Sequence, residues 1–237
     1  MKNRVPLISQ YFWDFVSLFY PELCAACKTS LINQEKVLCS KCLYELPRTN
    51  YHKVSGNPLE QIFWGRVPLE RVTSFFFFVK GSKYRKLIHQ LKYQNRPDIG
   101  VELGRLFGSE LVSEPAFLEP EYILPVPLHP KKEFKRGYNQ SKTIADGLAA
   151  FLPAKVRSDM LIRKTFTETQ TRKGRYERWE NVEEVFGVNH ADELNDKHIL
   201  LVDDILTTGA TIEGCAQMLH KAARIKISVV TLGYASQ

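Results

Sequence analysis

Residues 200–211, Leu-Leu-Val-Asp-Asp-Ile-Leu-Thr-Thr-Gly-Ala-Thr, constrain this chain more than any other stretch. An apolar run that reads as a strand over 198–204 is closed by two adjacent acids. A loop of small residues then leads into a helical pattern at about 210–223. Thr207, Thr208, Gly209, Ala210 and Thr211 offer backbone N–H groups and three hydroxyls directly before a helix N-terminus. Unsatisfied donors and the positive dipole end favour a phosphate there. Gly209 lets the backbone turn closely around an anion. Asp203 and Asp204 repel phosphate, but they accept hydrogen bonds from vicinal hydroxyls, directly or through Mg²⁺ and its waters. Acids beside a phosphate cradle imply a ligand carrying both a sugar diol and a 5′-phosphate. A capping threonine in a polar turn would explain one Asp or one Thr, and not the whole string. The loop lacks the Walker A pattern, which gives ATP hydrolysis of that kind little support.

Around this stretch the chain alternates strand and helix patterns. Strands are predicted at 72–79, 122–128 and 226–232, and helices at 83–93 and 101–112. In the first helix Leu87, Ile88 and Leu91 share one side, with Lys83, Arg85, Lys86 and Lys92 largely outward. Continuous apolar strands separated by helices indicate an open parallel sheet covered on both faces, an α/β fold. Ligands in such sheets bind beyond the carboxyl ends of the strands. At 237 residues there is room for one such core and a small appendage.

That appendage is marked by two cysteine pairs, Cys24-Ala-Ala-Cys27 and Cys39-Ser-Lys-Cys42. Each CxxC turn sets two thiolates on one side of a tight loop, and two such turns supply the corners of a tetrahedron. Structural zinc suits that set, and metal would stabilise a segment too short to bury much core. Two disulfides, or four reduced thiols, are the alternatives, and nothing here signals export. The fifth cysteine, Cys215, reads as a core thiol on the helix after the acid pair. The turn-rich stretch 47–68 suggests a first domain over 1–50, a linker over 51–68 and the α/β domain over 69–237. Ile62, Phe63 and Trp64 are candidates for a contact between domains.

Before the cysteines, residues 8–19 read as an amphipathic helix with Phe12, Phe15, Val16 and Phe19 on one face. It suits packing on its own domain, or docking to a membrane surface or partner. The longest apolar run, 75–79, is far short of the ~20 residues that cross a bilayer, and a cytoplasmic location is the default expectation. The formal charge of +7 fits nucleic acid, phosphorylated small molecules or a plain basic surface alike.

The string 202–211 resembles the phosphoribosyl-pyrophosphate (PRPP) binding motif of type I phosphoribosyltransferases. Together with the cysteine pairs, Pro125-Val-Pro-Leu-His-Pro130 and Arg136-Gly-Tyr-Asn-Gln140, the chain is similar to the ComF/GntX family of competence-related phosphoribosyltransferase-like proteins. The resemblance implies a type I phosphoribosyltransferase-like open parallel sheet with a hood, behind a four-Cys zinc domain. It implies that Asp203 and Asp204 hold the ribose hydroxyls and that Thr207, Thr208, Gly209, Ala210 and Thr211 cradle the 5′-phosphate. A basic loop after Leu128, with Lys131, Lys132, Lys135 and Arg136, would receive the pyrophosphate. Mg²⁺ would accompany PRPP. The segment 163–186, with Lys164, Thr165, Phe166, Gln170, Arg172, Lys173, Arg175, Tyr176, Arg178, Trp179 and Asn181, stands where the hood lies.

A hood that excludes water suits glycosyl transfer. Arginines interleaved with aromatics equally suit single-stranded nucleic acid, and an exposed charged excursion would need no ligand. Three functions stay open: a Mg²⁺-dependent phosphoribosyltransferase or PRPP-binding protein, a non-catalytic single-stranded DNA-handling accessory protein, and a metal-stabilised scaffold with a degenerate pocket. The family also implies a part in DNA uptake during natural transformation, beside a helicase-like competence ATPase. No residue identifies an acceptor.

Overall fold

The computed structural model describes residues 20–32, 34–164 and 185–235. The amphipathic helix expected at 8–19 and the hood residues 165–184 lie outside them. The chain divides into two compact units, Met1–Leu46 and Pro47–Gln237.

In the first unit, Leu23 and Ser30 pair across a tight turn in which Lys28 adopts a positive φ of 69°. A short helix, α1 (Ser40–Tyr44), follows the second cysteine pair's first member. Among the described residues of this unit, the buried apolar side chains are small or scattered, as in Ala25, Ala26, Val37 and Leu46.

The second unit is built on a five-stranded parallel sheet in the order β1-β7-β6-β2-β3. Its strands are β1 (Val72–Phe77), β2 (Tyr122–Pro125), β3 (Lys155–Val156), β6 (His198–Leu206) and β7 (Lys226–Tyr234). A separate antiparallel pair, β4 (Leu161–Arg163) with β5 (Phe186–Val188), brackets the residues not described. The chain runs outward from β2 to β3 on one side and from β6 to β7 on the other. The switch point therefore lies between the carboxyl ends of β2 and β6, where an open α/β sheet offers a crevice.

Strand β6 does not stop at the acids, as the sequence pattern suggested. It continues through Ile205 and Leu206, which pair with Gly233 and Tyr234 of β7. Ile199, Leu201, Ile227 and Val229 share one buried cluster with Ile212, Cys215, Ala216 and Leu219 of helix α7 (Ala210–Ala222). Alternate residues, Leu200, Val202 and Val230, are fully buried on the opposite face. There helices α4 (Pro97–Leu111) and α6 (Gln140–Leu148) pack closely because glycines face each other. A Cβ on Gly104 would stand 2.3 Å from the Ile144 carbonyl oxygen, and one on Gly147 would stand 2.2 Å from that of Val101.

The stretch expected as a linker, 51–68, belongs to the second unit. The Asn57 side-chain amide donates to the carbonyls of Tyr51 (3.2 Å), Val54 (3.0 Å) and Val72 (3.0 Å). Its Oδ1 caps helix α2 (Pro58–Gln61) by accepting from Leu59 N at 2.9 Å. Glu60 pairs with Arg71 at 3.0 Å, and Leu59 and Phe63 enter the α7-side core. Turn-forming residues do mark this stretch, but one buried asparagine binds two of its carbonyls and one of β1, so the turns fold onto the sheet.

Because α6 carries residues of the crevice, its seating matters beyond stability. Gly104→Ala is expected to destabilise the protein by about 1–3 kcal/mol through overpacking, read from urea denaturation.

Candidate functional site

Asp203 and Asp204 sit at the carboxyl end of β6, beside the switch point. Asp204 is buried and Asp203 keeps partial contact with solvent. The elements around them are arranged to hold two carboxylates close together. Lys92, on helix α3 (Arg85–Tyr93), places Nζ 2.9 Å from Asp204 Oδ1. The first two residues of α6 reach both acids: Gln140 Nε2 lies 3.4 Å from Asp204 Oδ2, and Ser141 Oγ donates to Asp203 Oδ1 at 3.0 Å. The Asp204 N–H donates to the same Asp203 oxygen at 2.8 Å.

These donors do not fully offset burial. Burial, and then the neighbouring Asp204 charge, push the Asp203 carboxyl up to about 7, against the opposing pull of the Asp204 N–H, Lys92 and Ser141.

Residues 136–140 explain why α6 starts where it does. Gly137, at φ 87°, ends helix α5 (Pro130–Arg136). The Tyr138 hydroxyl donates to the Leu91 carbonyl, next to Lys92. Asn139 donates to the Val126 carbonyl at 3.0 Å and caps α6 by accepting from Ser141 N at 3.0 Å. The motif thus ties α3, β2 and α6 together around the acids.

The segment after Leu128, expected as a basic loop, is the helix α5. Pro130 begins it and the His129 Nδ1 caps it, accepting from Lys131 N at 3.1 Å. A cleft of about 490 Å³ is lined by Lys92, Tyr93, Asn95, Lys132, Lys135 and Arg136. Lys131 is exposed and is not part of this lining. The Arg136 guanidinium lies 5.7 Å from the Tyr93 ring centre. Partial burial and the nearby Arg163 and Arg136 lower the Lys132 pKa, the signature of cations crowded into one place. An anion bound there would relieve that crowding.

On the other side of the acids, Thr207, Thr208, Ala210 and Thr211 are exposed and Gly209 is buried. Gly209 is itself the N-cap of α7, at φ 80°, with no side-chain cap. The N-cap position thus falls on Gly209 and not on Thr207 or Thr211.

Lys92 was not singled out by periodicity, which set it on the outward face of its helix. Its partner lies 112 positions away, 204 − 92, and no local pattern announces such a pair. Gln140 was visible as a motif residue and Ser141 was not. Cys215 is buried as expected, and burial pushes its thiol pKa up.

In the first unit the Sγ atoms of Cys24, Cys27, Cys39 and Cys42 all lie within 4.8 Å of one another, and Cys27 and Cys39 stand 3.7 Å apart. Four sulfurs at ~2.3 Å from a zinc ion are about 3.8 Å apart, so the set fits a tetrahedral site and not a disulfide. The Thr29 hydroxyl and backbone N–H hold Cys27 down at about 6, while burial raises Cys39. The Cys39 N–H points to Cys24 Sγ at 3.4 Å.

Residues 138–236 match the Phosphoribosyl transferase domain family. Competence protein F of Haemophilus influenzae is 27% identical over 89% of this chain and 96% of its own. The DNA utilization protein YhgH of Escherichia coli O6:H1 is 28% identical over 87% of this chain and 88% of its own. Competence protein ComFC of Bacillus subtilis is 34% identical over 55% of this chain and 53% of its own. Over most of its length the chain is thus similar to proteins named for competence and DNA utilization, and these matches support a ComF-type phosphoribosyltransferase-like protein. Its fold is the type I phosphoribosyltransferase fold, with a four-Cys cluster in the amino-terminal unit.

The raised Asp203 carboxyl has a consequence for stability. A proton bound more tightly in the folded than in the unfolded chain makes folding less favourable as pH rises from about 4 to about 7. Asp203→Asn is therefore expected to stabilise the ligand-free protein at pH 8 by roughly 1–2 kcal/mol, discounted for partial exposure, and by progressively less towards pH 4. Denaturation midpoints across that range check this.

Proposed function

We propose that this chain is a Mg²⁺-dependent phosphoribosyltransferase or PRPP-binding protein of the ComF type, serving DNA uptake or use. The observation that carries the reading is the acid pair held between a phosphate-type loop and a cationic cleft. In this reading Asp203 and Asp204 accept from the ribose 2′ and 3′ hydroxyls, and Thr207 to Thr211 cradle the 5′-phosphate. Lys92, Lys132, Lys135 and Arg136 take the pyrophosphate, and Lys92 exchanges part of its hold on Asp204 for that anion. Mg²⁺ arriving with PRPP supplies further neutralisation of its pyrophosphate oxygens. The protein's contribution to transfer is positioning and charge stabilisation, which needs no side-chain nucleophile. Four thiolates hold a structural zinc ion with no open position. The cytoplasm suits the reduced cysteines, and among the described residues no helix is long and apolar enough to cross a membrane.

A second reading, handling of single-stranded DNA without transfer, has its own support. Two relatives are named for competence and one for DNA utilization. Phe134 is 93% exposed on α5 among Lys131, Lys132, Lys135 and Arg136, the aromatic-and-cation mixture that stacks bases and pairs phosphates. A competence ATPase of helicase type would be the companion in that role. The acids favour the first reading, because DNA has no 2′-hydroxyl to offer them.

Isothermal titration of PRPP into the zinc-loaded protein is expected to show saturable binding with Mg²⁺ and loss of it with EDTA added for the titration alone. Asp203→Asn and Asp204→Asn should each weaken binding by about tenfold or more, and Thr208→Val should also lose affinity. Lys92→Gln should weaken PRPP by about tenfold while leaving ribose 5-phosphate less affected, since only PRPP reaches the cleft. Absence of PRPP binding in either condition would remove the first reading. An oligonucleotide affinity that falls steeply with salt would then put DNA handling in its place.

The zinc assignment has a separate test. Native mass spectrometry is expected to find one zinc per chain, lost in Cys39→Ser, with the first unit becoming protease-sensitive after chelation.

A further inference from the structure

Residues 62–66 pack against the loop 207–211 and the first turn of α7. The Arg66 Nη1 donates to the Thr208 carbonyl at 3.0 Å and to the Ile62 carbonyl at 3.1 Å. Its Nη2 pairs with Glu213, in the first turn of α7. The Phe63 ring lies under the guanidinium, 5.8 Å from its carbon, and also against Gly209, where a Cβ would meet ring atoms at 2.8 Å. Phe63 is buried, and its segment is anchored by Asn57 to the carbonyl of Val72, the first residue of β1, and by Glu60 to Arg71.

Two physical consequences follow. A carbonyl held by a guanidinium cannot turn towards a bound anion, so the Thr208–Gly209 peptide is fixed with its acceptor facing Arg66. Glu213 is the carboxylate nearest in sequence after the loop and would repel a phosphate at the helix start. Arg66 neutralises it while the Glu213 N–H still bonds to the Gly209 carbonyl at 2.8 Å. Arg66 itself is outside the residues that match the family domain, 138–236.

We propose that Arg66 is a positioning residue for the phosphate loop, setting the orientation of the Thr208–Gly209 peptide and cancelling the charge of Glu213. This rests on the reading that the loop takes a 5′-phosphate. Arg66 touches no ligand; it acts through Thr208 and Glu213.

Ribose 5-phosphate, titrated into the full-length protein, is the probe. Arg66→Met is expected to bind it about tenfold more weakly, the loss of one charge-assisted contact, with a thermal midpoint near that of wild type. Arg66→Lys should recover part of the affinity, because one ammonium cannot serve two carbonyls and Glu213 together. Adding Glu213→Gln to Arg66→Met should restore the electrostatic share of the loss. Amide hydrogen exchange over 207–212 should quicken in Arg66→Met, which a change in net charge alone would not cause. A wild type that fails to bind ribose 5-phosphate brings down the phosphate reading and this role with it. Wild-type binding matched by Arg66→Met, with unchanged exchange, overturns the role of Arg66 alone. Should Arg66→Met not fold, Arg66→Lys decides, and wild-type affinity and exchange in that variant overturn the proposal.

Discussion

Two carboxylates on consecutive residues, held at the end of an interior strand, are the constraint on which the rest of this structure turns. Left alone, Asp203 and Asp204 would oppose folding through lost hydration and mutual repulsion. Lys92, Gln140, Ser141 and a backbone N–H reduce that cost. Each comes from an element held to the sheet by its own device. Tyr138 fixes the end of α3, Asn139 fixes the start of α6, and facing glycines let α4 and α6 approach. The compensation is incomplete, as the raised Asp203 carboxyl shows.

Beside the acids stands a cluster of the opposite sign. Lys132 is partly buried near Arg136 and Arg163, and its ammonium is disfavoured there. Acids and cations could have cancelled one another by direct pairing. Among the described residues, Lys92 makes that bridge to Asp204, while Lys132, Lys135 and Arg136 line the cleft beyond it. A ligand offering hydroxyl donors at one end and anionic oxygens at the other would satisfy both clusters. A simple anion would satisfy only the cations, and a bare cation only the acids.

Much of this architecture was legible from residue patterns. The apolar runs at β6 and β7 are continuous because both faces are covered, and the loop after the acids had the composition of an anion cradle. The paired CxxC turns were readable because ligand spacing within a turn is local. What escaped was tertiary. Lys92 occupies an ordinary outward position on its helix, and only the folded sheet brings it to Asp204. Residues 51–68 looked like a linker because turn-formers are common to linkers and to compact brackets alike. The side chain of Asn57 makes the difference by collecting three carbonyls. The basic stretch after Leu128 has a proline that reads as a loop signal, yet at the first position of α5 the same proline favours a helix.

The residues matched to the phosphoribosyl transferase domain begin at Tyr138, and the site does not. The acids, the phosphate-type loop, Gln140 and Ser141 fall inside that span. The cations of the cleft, Lys92 and the Arg66 brace fall before it. The matched span therefore contains the groups that would grip a ribose 5-phosphate, and the preceding residues contain those that would handle pyrophosphate and hold the loop in shape. A segment bearing only the former would keep the buried Asp204 without its lysine. It would also keep a phosphate loop with its Thr208 carbonyl unrestrained. The same long-range contacts thus hold the acids and shape the loop beside them, so the matched span alone understates how much of the second unit surrounds the acid pair.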